Sequence, residues 1–112
     1  MNLFLAAGDA SPDDLVAGME RGIYVTRFWY VNVVHPTETV LTGMTRDGTF
    51  LIERGEIGPP IRNLRFTMSV LEALSSVERI GREPYLIPGW LGGSLVPALR
   101  LGRFRFSGAT EF

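Results

Sequence analysis

Residues that could do chemistry are sparse in this 112-residue chain. It holds one histidine, His35, and no cysteine, and all eleven of its basic residues are arginine. A lone imidazole without a thiolate makes no metal site by itself, although carboxylates can complete one. His35 precedes Pro36, a setting that suits a turn open to solvent. No HExxH pair occurs, and no Ser or Thr has a histidine spaced to suggest a nucleophilic triad. The carboxylates Asp47, Glu53 and Glu56 sit near two turns, and turn chemistry and solvation account for them. Gly43-Met44-Thr45-Arg46-Asp47-Gly48 lacks the Gly-Lys-Ser/Thr and the following helix of a phosphate loop. Gly89-Trp90-Leu91-Gly92-Gly93 has the glycines to cradle an anion, but reads more simply as a plain loop. Arg27-Phe28-Trp29-Tyr30 and Arg103-Phe104-Arg105-Phe106 interleave cations with rings, as single-strand platforms do. A net charge of -1 gives no field to draw nucleic acid to them. From these residues no catalytic, metal or cofactor-binding position is assigned. The chemistry supports a mixed α/β interaction module.

The wider composition agrees. Hydrophobic residues at 46% and charged residues at 21% are ordinary for a globular chain and argue against disorder. The length fits one domain, or one piece of a larger protein, with a modest core that a partner would help to cover. No apolar run reaches the ~18 residues of a membrane span. The apolar start, Met1-Asn2-Leu3-Phe4-Leu5-Ala6-Ala7, lacks a basic flank and runs into Gly8-Asp9, so it reads as a strand and not a signal peptide. Cytoplasmic location is the expectation.

The elements follow from patterning. Residues 2–6 read as a short buried strand. Ser11-Pro12-Asp13-Asp14 is a helix start, with Ser11 as N-cap, Pro12 at the first helical position and a capping box to Asp14. This helix is expected to run about three turns, to Gly22. Residues 23–34 are the most β-prone run in the chain, with neither face cleanly polar, so both faces are expected to be covered. The centre is the stretch 39–66. Asp47-Gly48 between two β-prone runs predicts a hairpin turn, and Glu53-Arg54-Gly55-Glu56 predicts another. Gly58-Pro59-Pro60 should break the chain before a return strand over 61–66. A second helix is expected over 69–77 and a strand at Ile80-Gly81-Arg82-Glu83. Breaker-rich 84–93 reads as a loop. Pro97 should lie at an edge or bulge of the run 94–101, and Arg103 to Ser107 should form a strand with Phe104 and Phe106 inward.

Several of these runs resemble one family. Gly22-Ile23-Tyr24-Val25-Thr26-Arg27, the stretch from Leu41 to Glu53, Ile61-Arg62-Asn63-Leu64-Arg65-Phe66 and Pro97-Ala98-Leu99-Arg100 are similar, in order and spacing, to the C-terminal domain of the TldD/PmbA metallopeptidases, once described as modulators of DNA gyrase. Asn2-Leu3-Phe4-Leu5 with Gly8-Asp9 and the Ser11 helix fit too. The resemblance implies an α+β fold: a β-rich mixed and antiparallel sheet domain with two short helices, filling residues 1–112 as a single domain. It implies that the zinc motif, HExxxDxxxH, lies in an N-terminal region absent from this sequence. TldD-type members donate a Cys ligand from the C-terminal domain, but the segment 82–90, where it is expected, has none. No catalytic or metal residue therefore carries over. The implied role is a cleft wall and subunit interface of a zinc peptidase acting on small or unfolded peptides. Its partners would be the N-terminal region and a second TldD- or TldE-type subunit, in a homo- or heterodimer. A non-enzymatic, TldE-like peptide- or protein-binding module is the alternative.

Overall fold

The computed structural model describes residues 3–89 and 92–109. It is an α+β domain of two sheets and two short helices. Chain order is β1 (Leu3–Phe4), α1 (Pro12–Ala17), β2 (Arg21–His35), β3 (Val40–Glu53), β4 (Glu56–Ile61), β5 (Leu64–Ser69), α2 (Val70–Ser75), β6 (Val77–Gly89), β7 (Gly92–Leu101) and β8 (Phe106–Ala109). One sheet runs β1-β7-β6, with β1 parallel to β7. The other runs β2-β3-β5-β8 and carries β4 on β3, all antiparallel. Among the described residues no helix is long and apolar enough to cross a membrane.

The central element is β3. Its Asp47-Gly48 is not a hairpin turn: β3 pairs with β2 from Arg21↔Glu53 to His35↔Val40 as one strand. Between Val25↔Thr49 and Arg27↔Arg46, Thr26 alone faces the two residues Asp47 and Gly48, which is a β-bulge. Both have positive φ, 63° and 113°. The dipeptide supplies the left-handed backbone a tight turn needs, and a bulge needs the same property. The true turns flank the strand. Residues 36–39 join β2 to β3, and Arg54-Gly55, at φ 53° and 75°, joins β3 to β4 as the sequence predicts.

Other expectations are corrected in the same spirit. Gly58-Pro59-Pro60 does not break the chain but lies inside β4, which among the described residues pairs with β3 alone, and Gly58 and Pro59 fall in the register shift between Phe50↔Pro60 and Ile52↔Ile57, where an edge strand tolerates residues without an amide proton. The return strand divides, β4 ending at Ile61 and β5 starting at Leu64. The breaker-rich segment 84–93 is largely strand, with Pro84 opposite Pro97 beside a register shift, which puts Pro97 at the expected bulge. Trp90 and Leu91 lie outside the described residues. The last strand starts at Phe106, not Arg103. Phe4 and Leu5 are exposed, so the first strand is not buried.

The helices are shorter than the patterning suggests. In α1 Ser11 caps as expected, with reciprocal bonds to Asp14 at 3.0 and 3.1 Å. The helix ends at Gly18, not near Gly22, and Arg100 occupies the space beside this cap: a Cβ on Gly18 would sit on the Arg100 guanidinium. Arg100 donates to the Asp14 and Leu15 carbonyls at 3.3 and 3.5 Å and pairs with Glu78 at 3.1 Å, which ties α1 to β6 and β7. The second helix is likewise trimmed to Val70–Ser75, since Val77 already begins β6. The core is small. Phe66, Met68 and Ala73 form it, with Leu41, Leu101, Phe104 and Phe106 packed around them.

Candidate functional site

The bulge in β3 is built over a buried hydroxyl relay. Thr45 and Thr49 are fully buried although polar. Thr49 Oγ1 donates to Asn63 Oδ1 at 3.1 Å, so the 2.7 Å contact between the two hydroxyls must use the Thr45 proton. Thr45 Oγ1 in turn accepts from the Leu64 amide at 2.8 Å. The relay runs in one direction, from Leu64 N–H through Thr45 and Thr49 to Asn63, and satisfies each buried group. It holds the start of β5 against β3 just beyond their last paired residues, Met44↔Arg65. Pattern reading missed it because two threonines in a strand look like ordinary β-formers.

Outside the bulge, Arg27 pairs with Asp47 at 3.0 Å, both half-exposed. Arg27 and Arg46 also place their guanidinium carbons 5.1 and 4.4 Å from the centroid of the Trp29 ring. Phe28 turns to the other face and joins a run of rings. It lies 5.5 Å from Phe104 in a stacked arrangement and 4.9 Å from Phe66, and Phe104 lies 5.0 Å from Phe106. Arg27-Phe28-Trp29-Tyr30 therefore does not form one stacking platform: strand alternation sends Phe28 and Trp29 to opposite faces, and Tyr30 leaves the ladder at a second bulge with φ 55°. Arg103-Phe104-Arg105-Phe106 is divided as well, its rings in the core and its cations at the rim of a hollow.

Two hollows adjoin this aromatic cluster. One, of about 210 Å³, is walled by Phe28, Val31, Leu41, Leu74, Leu101 and Phe104, with Phe66 and Met68 also facing it. The other, of about 340 Å³, is lined by Met68, Glu72, Gly102, Arg103, Phe104 and Arg105. Met68 and Phe104 face both, so the hollows adjoin.

The remaining polar candidates are scattered. His35 ends β2, and Glu53 faces Glu56 across the Arg54-Gly55 turn. Among the described residues no three His, Cys, Asp or Glu side chains group to hold a metal ion. What the described residues present is one apolar hollow, a second with arginines at its rim, and a broad exposed apolar strand.

That strand is β2. Among the described residues it forms one end of its sheet, paired on one side, to β3. Tyr24, Trp29, Tyr30, Val31, Val33 and Val34 are all exposed on it, Tyr30 at 73% and Val33 at 60%. Among the described residues neither face is fully covered, so the cover expected for both would have to come from an interface.

Comparison with known proteins places this fold. The family model described as PmbA/TldA metallopeptidase C-terminal domain matches residues 1–108. A protein named Metalloprotease from Methanothermobacter thermautotrophicus is 30% identical over 95 residues, which are 83% of this chain and 20% of that protein. The chain thus spans about a fifth of the length of that relative. The crystal structure of TldE from Thermococcus kodakarensis superposes with a TM-score of 0.80 at 19% identity, over 94% of this chain and 23% of that one, which shows a shared fold.

Proposed function

Because this chain belongs to the PmbA/TldD metallopeptidase family, as its C-terminal domain, we propose that it walls a peptide-cleaving cleft and forms a subunit interface, and that it breaks no bond itself. The observation that carries this reading is β2: fifteen residues long, at a sheet end and lined with exposed aromatic and β-branched side chains. A long apolar edge strand left uncovered is a liability that soluble proteins avoid, so a covering surface is expected for it. The metal that the family name implies does not fit the described residues, which offer no group of three ligands. The metal, with zinc as our expectation, its ligands and the hydrolytic step are assigned to the region outside this domain, and small or unfolded peptides to the cleft. A second TldD- or TldE-type subunit is the proposed cover for β2, in the cytoplasm.

The test uses the full-length protein that carries this domain. Tyr30→Lys with Val33→Lys puts two charges on the β2 surface. Sedimentation velocity should then show subunits where the parent shows an assembly, and hydrolysis of an unfolded peptide should fall about tenfold or more, as when interface anchors are lost. The 112-residue chain alone should hydrolyse nothing. An intact assembly with full activity in the double variant, or metal-dependent cleavage by the isolated chain, would refute the reading.

A further inference from the structure

The two adjoining hollows form a surface with one apolar half and one cationic half. The apolar half has almost no polar lining: Phe28, Leu41, Leu74 and Leu101 are among the walls of an open hollow of about 210 Å³, room for a large side chain. The other half carries Arg103 and Arg105. Neither guanidinium has an ion-pair partner among the described residues, whereas Arg27, Arg79 and Arg100 each have one. Opposing charge is limited. Glu72 lines the same half, and Glu78, near Gly102, is held by Arg100 at 3.1 Å. Among the described residues, two guanidiniums against one uncommitted carboxylate leave a net positive rim. Phe104 separates the halves, its ring packed with Phe28, Phe66 and Phe106.

We propose that this paired hollow binds an extended peptide segment in which a large apolar side chain is followed within a few residues by carboxylates, the apolar group entering between Phe28, Leu74 and Leu101 and the carboxylates meeting Arg103 and Arg105. Unpaired guanidiniums recognise carboxylates through forked, charge-assisted hydrogen bonds. An apolar pocket beside them adds affinity and fixes register along the peptide. The pairing of the two features favours such a segment over a purely apolar one, which gains nothing from the cations, and over a basic one, which the rim would repel. The site belongs to this chain alone and stands whether or not the domain walls a peptidase cleft.

Fluorescence anisotropy with the 112-residue chain tests it. The probe is a labelled, C-terminally amidated peptide with Leu-Phe followed by Asp-Glu, set against the same peptide with Lys-Lys in place of Asp-Glu. The acidic peptide should bind saturably, more weakly as salt rises, and the basic one should not. Arg103→Glu with Arg105→Glu should weaken binding about tenfold by turning two exposed attractions into repulsions. Leu74→Glu should weaken it as well by placing a carboxylate in the apolar half. Circular dichroism establishes that each variant keeps its fold, and a variant that unfolds is replaced by Arg105→Gln, whose milder loss should be in the same direction. Equal binding of both peptides, unchanged affinity in the folded arginine variants, no binding by the parent chain, or a signal that follows self-association and not peptide concentration would each overturn the proposal.

Discussion

Thr49 has one hydroxyl proton and gives it to Asn63, so its other neighbour, Thr45, must donate to it. That direction makes the pair a unit. Thr49→Val strands the Thr45 proton and the Asn63 acceptor contact in a site with no exposure at Thr45, and should destabilise by about 1–3 kcal/mol, the penalty for a buried group left unmet. Thr45→Val should cost a similar amount, since the Leu64 amide then loses its acceptor. The double valine variant should cost less than the sum, because the bond between the hydroxyls is removed once and not twice. Urea unfolding of all four chains measures this, and simple additivity would show that the relay does not act as a unit. A different residue reports on acid. The Asp14 carboxyl is held below its ordinary value first by the Ser11 amide and then by the Ser11 hydroxyl, with Arg79 and Arg82 adding a little. A depressed carboxyl contributes stability above its unfolded value and loses it as pH falls through the folded one. The stability gap between the parent and Asp14→Asn should therefore be flat through neutral pH and narrow below about pH 4. A gap that widens in acid would contradict the capping assignment. The capping box was legible from Ser11-Pro12-Asp13-Asp14 alone, because its partners are three residues apart. The relay was not, because Thr49 and Asn63 meet only after β4 has folded back.

At the scale of elements the same distinction recurs. Glu53-Arg54-Gly55-Glu56 was readable as a turn since a turn is local. Its second task was not readable. Its amides donate to the backbone at the exit of α1, Arg54 N to Glu20 O and Gly55 N to Met19 O, both at 2.7 Å. A Cβ on Gly55 would lie 2.7 Å from the Ala17 carbonyl oxygen, at a φ of +75°. Gly55→Ala thus meets both an unfavourable backbone and a rigid neighbour, and should destabilise by about 2–3 kcal/mol or more, beyond the ~1 kcal/mol of left-handed strain alone. Thermal unfolding followed by circular dichroism would measure it, and a loss no larger than strain alone would mean that α1 yields at no cost. The Asp47-Gly48 bulge makes the opposite point. Sequence specified the backbone conformation there but not its context, because Asp-Gly serves a turn and a bulge equally. Only pairing with β2 along the whole of β3 decides between them, and pairing is a tertiary fact. The prolines of β4 mislead for a related reason: they prohibit a donor, and an edge strand with a register shift in its one ladder can spare it.

The whole molecule is under-buried for its mass. It exposes 7948 Å² at 12.4 kDa, against about 6,100 Å² for a typical folded monomer of that size. The excess of about 1,800 Å² is roughly twice what one partner contributes to a standard interface. A large part of its apolar share lies on β2, with a second group at Tyr85, Leu86 and Ile87 of β6, and on β2 Tyr30 also holds a positive φ, a conformation that a bulky side chain adopts only at a cost of about 1 kcal/mol or more. Folding alone gains nothing from an exposed, strained tyrosine, whereas a docking surface does. These two contributions separate in one substitution. Tyr30→Gly keeps the bulge, relieves the strain and removes the ring, so the isolated chain should become more stable by about 1 kcal/mol while its tendency to self-associate falls. Denaturant midpoints at low protein concentration read the first effect, and sedimentation equilibrium over a wide concentration range reads the second. The parent chain should show concentration-dependent mass, since β2 has no cover of its own. A strictly monomeric parent at high concentration would remove the argument from surface area, and a destabilised Tyr30→Gly would place the ring in the stability of the fold and not on its docking face.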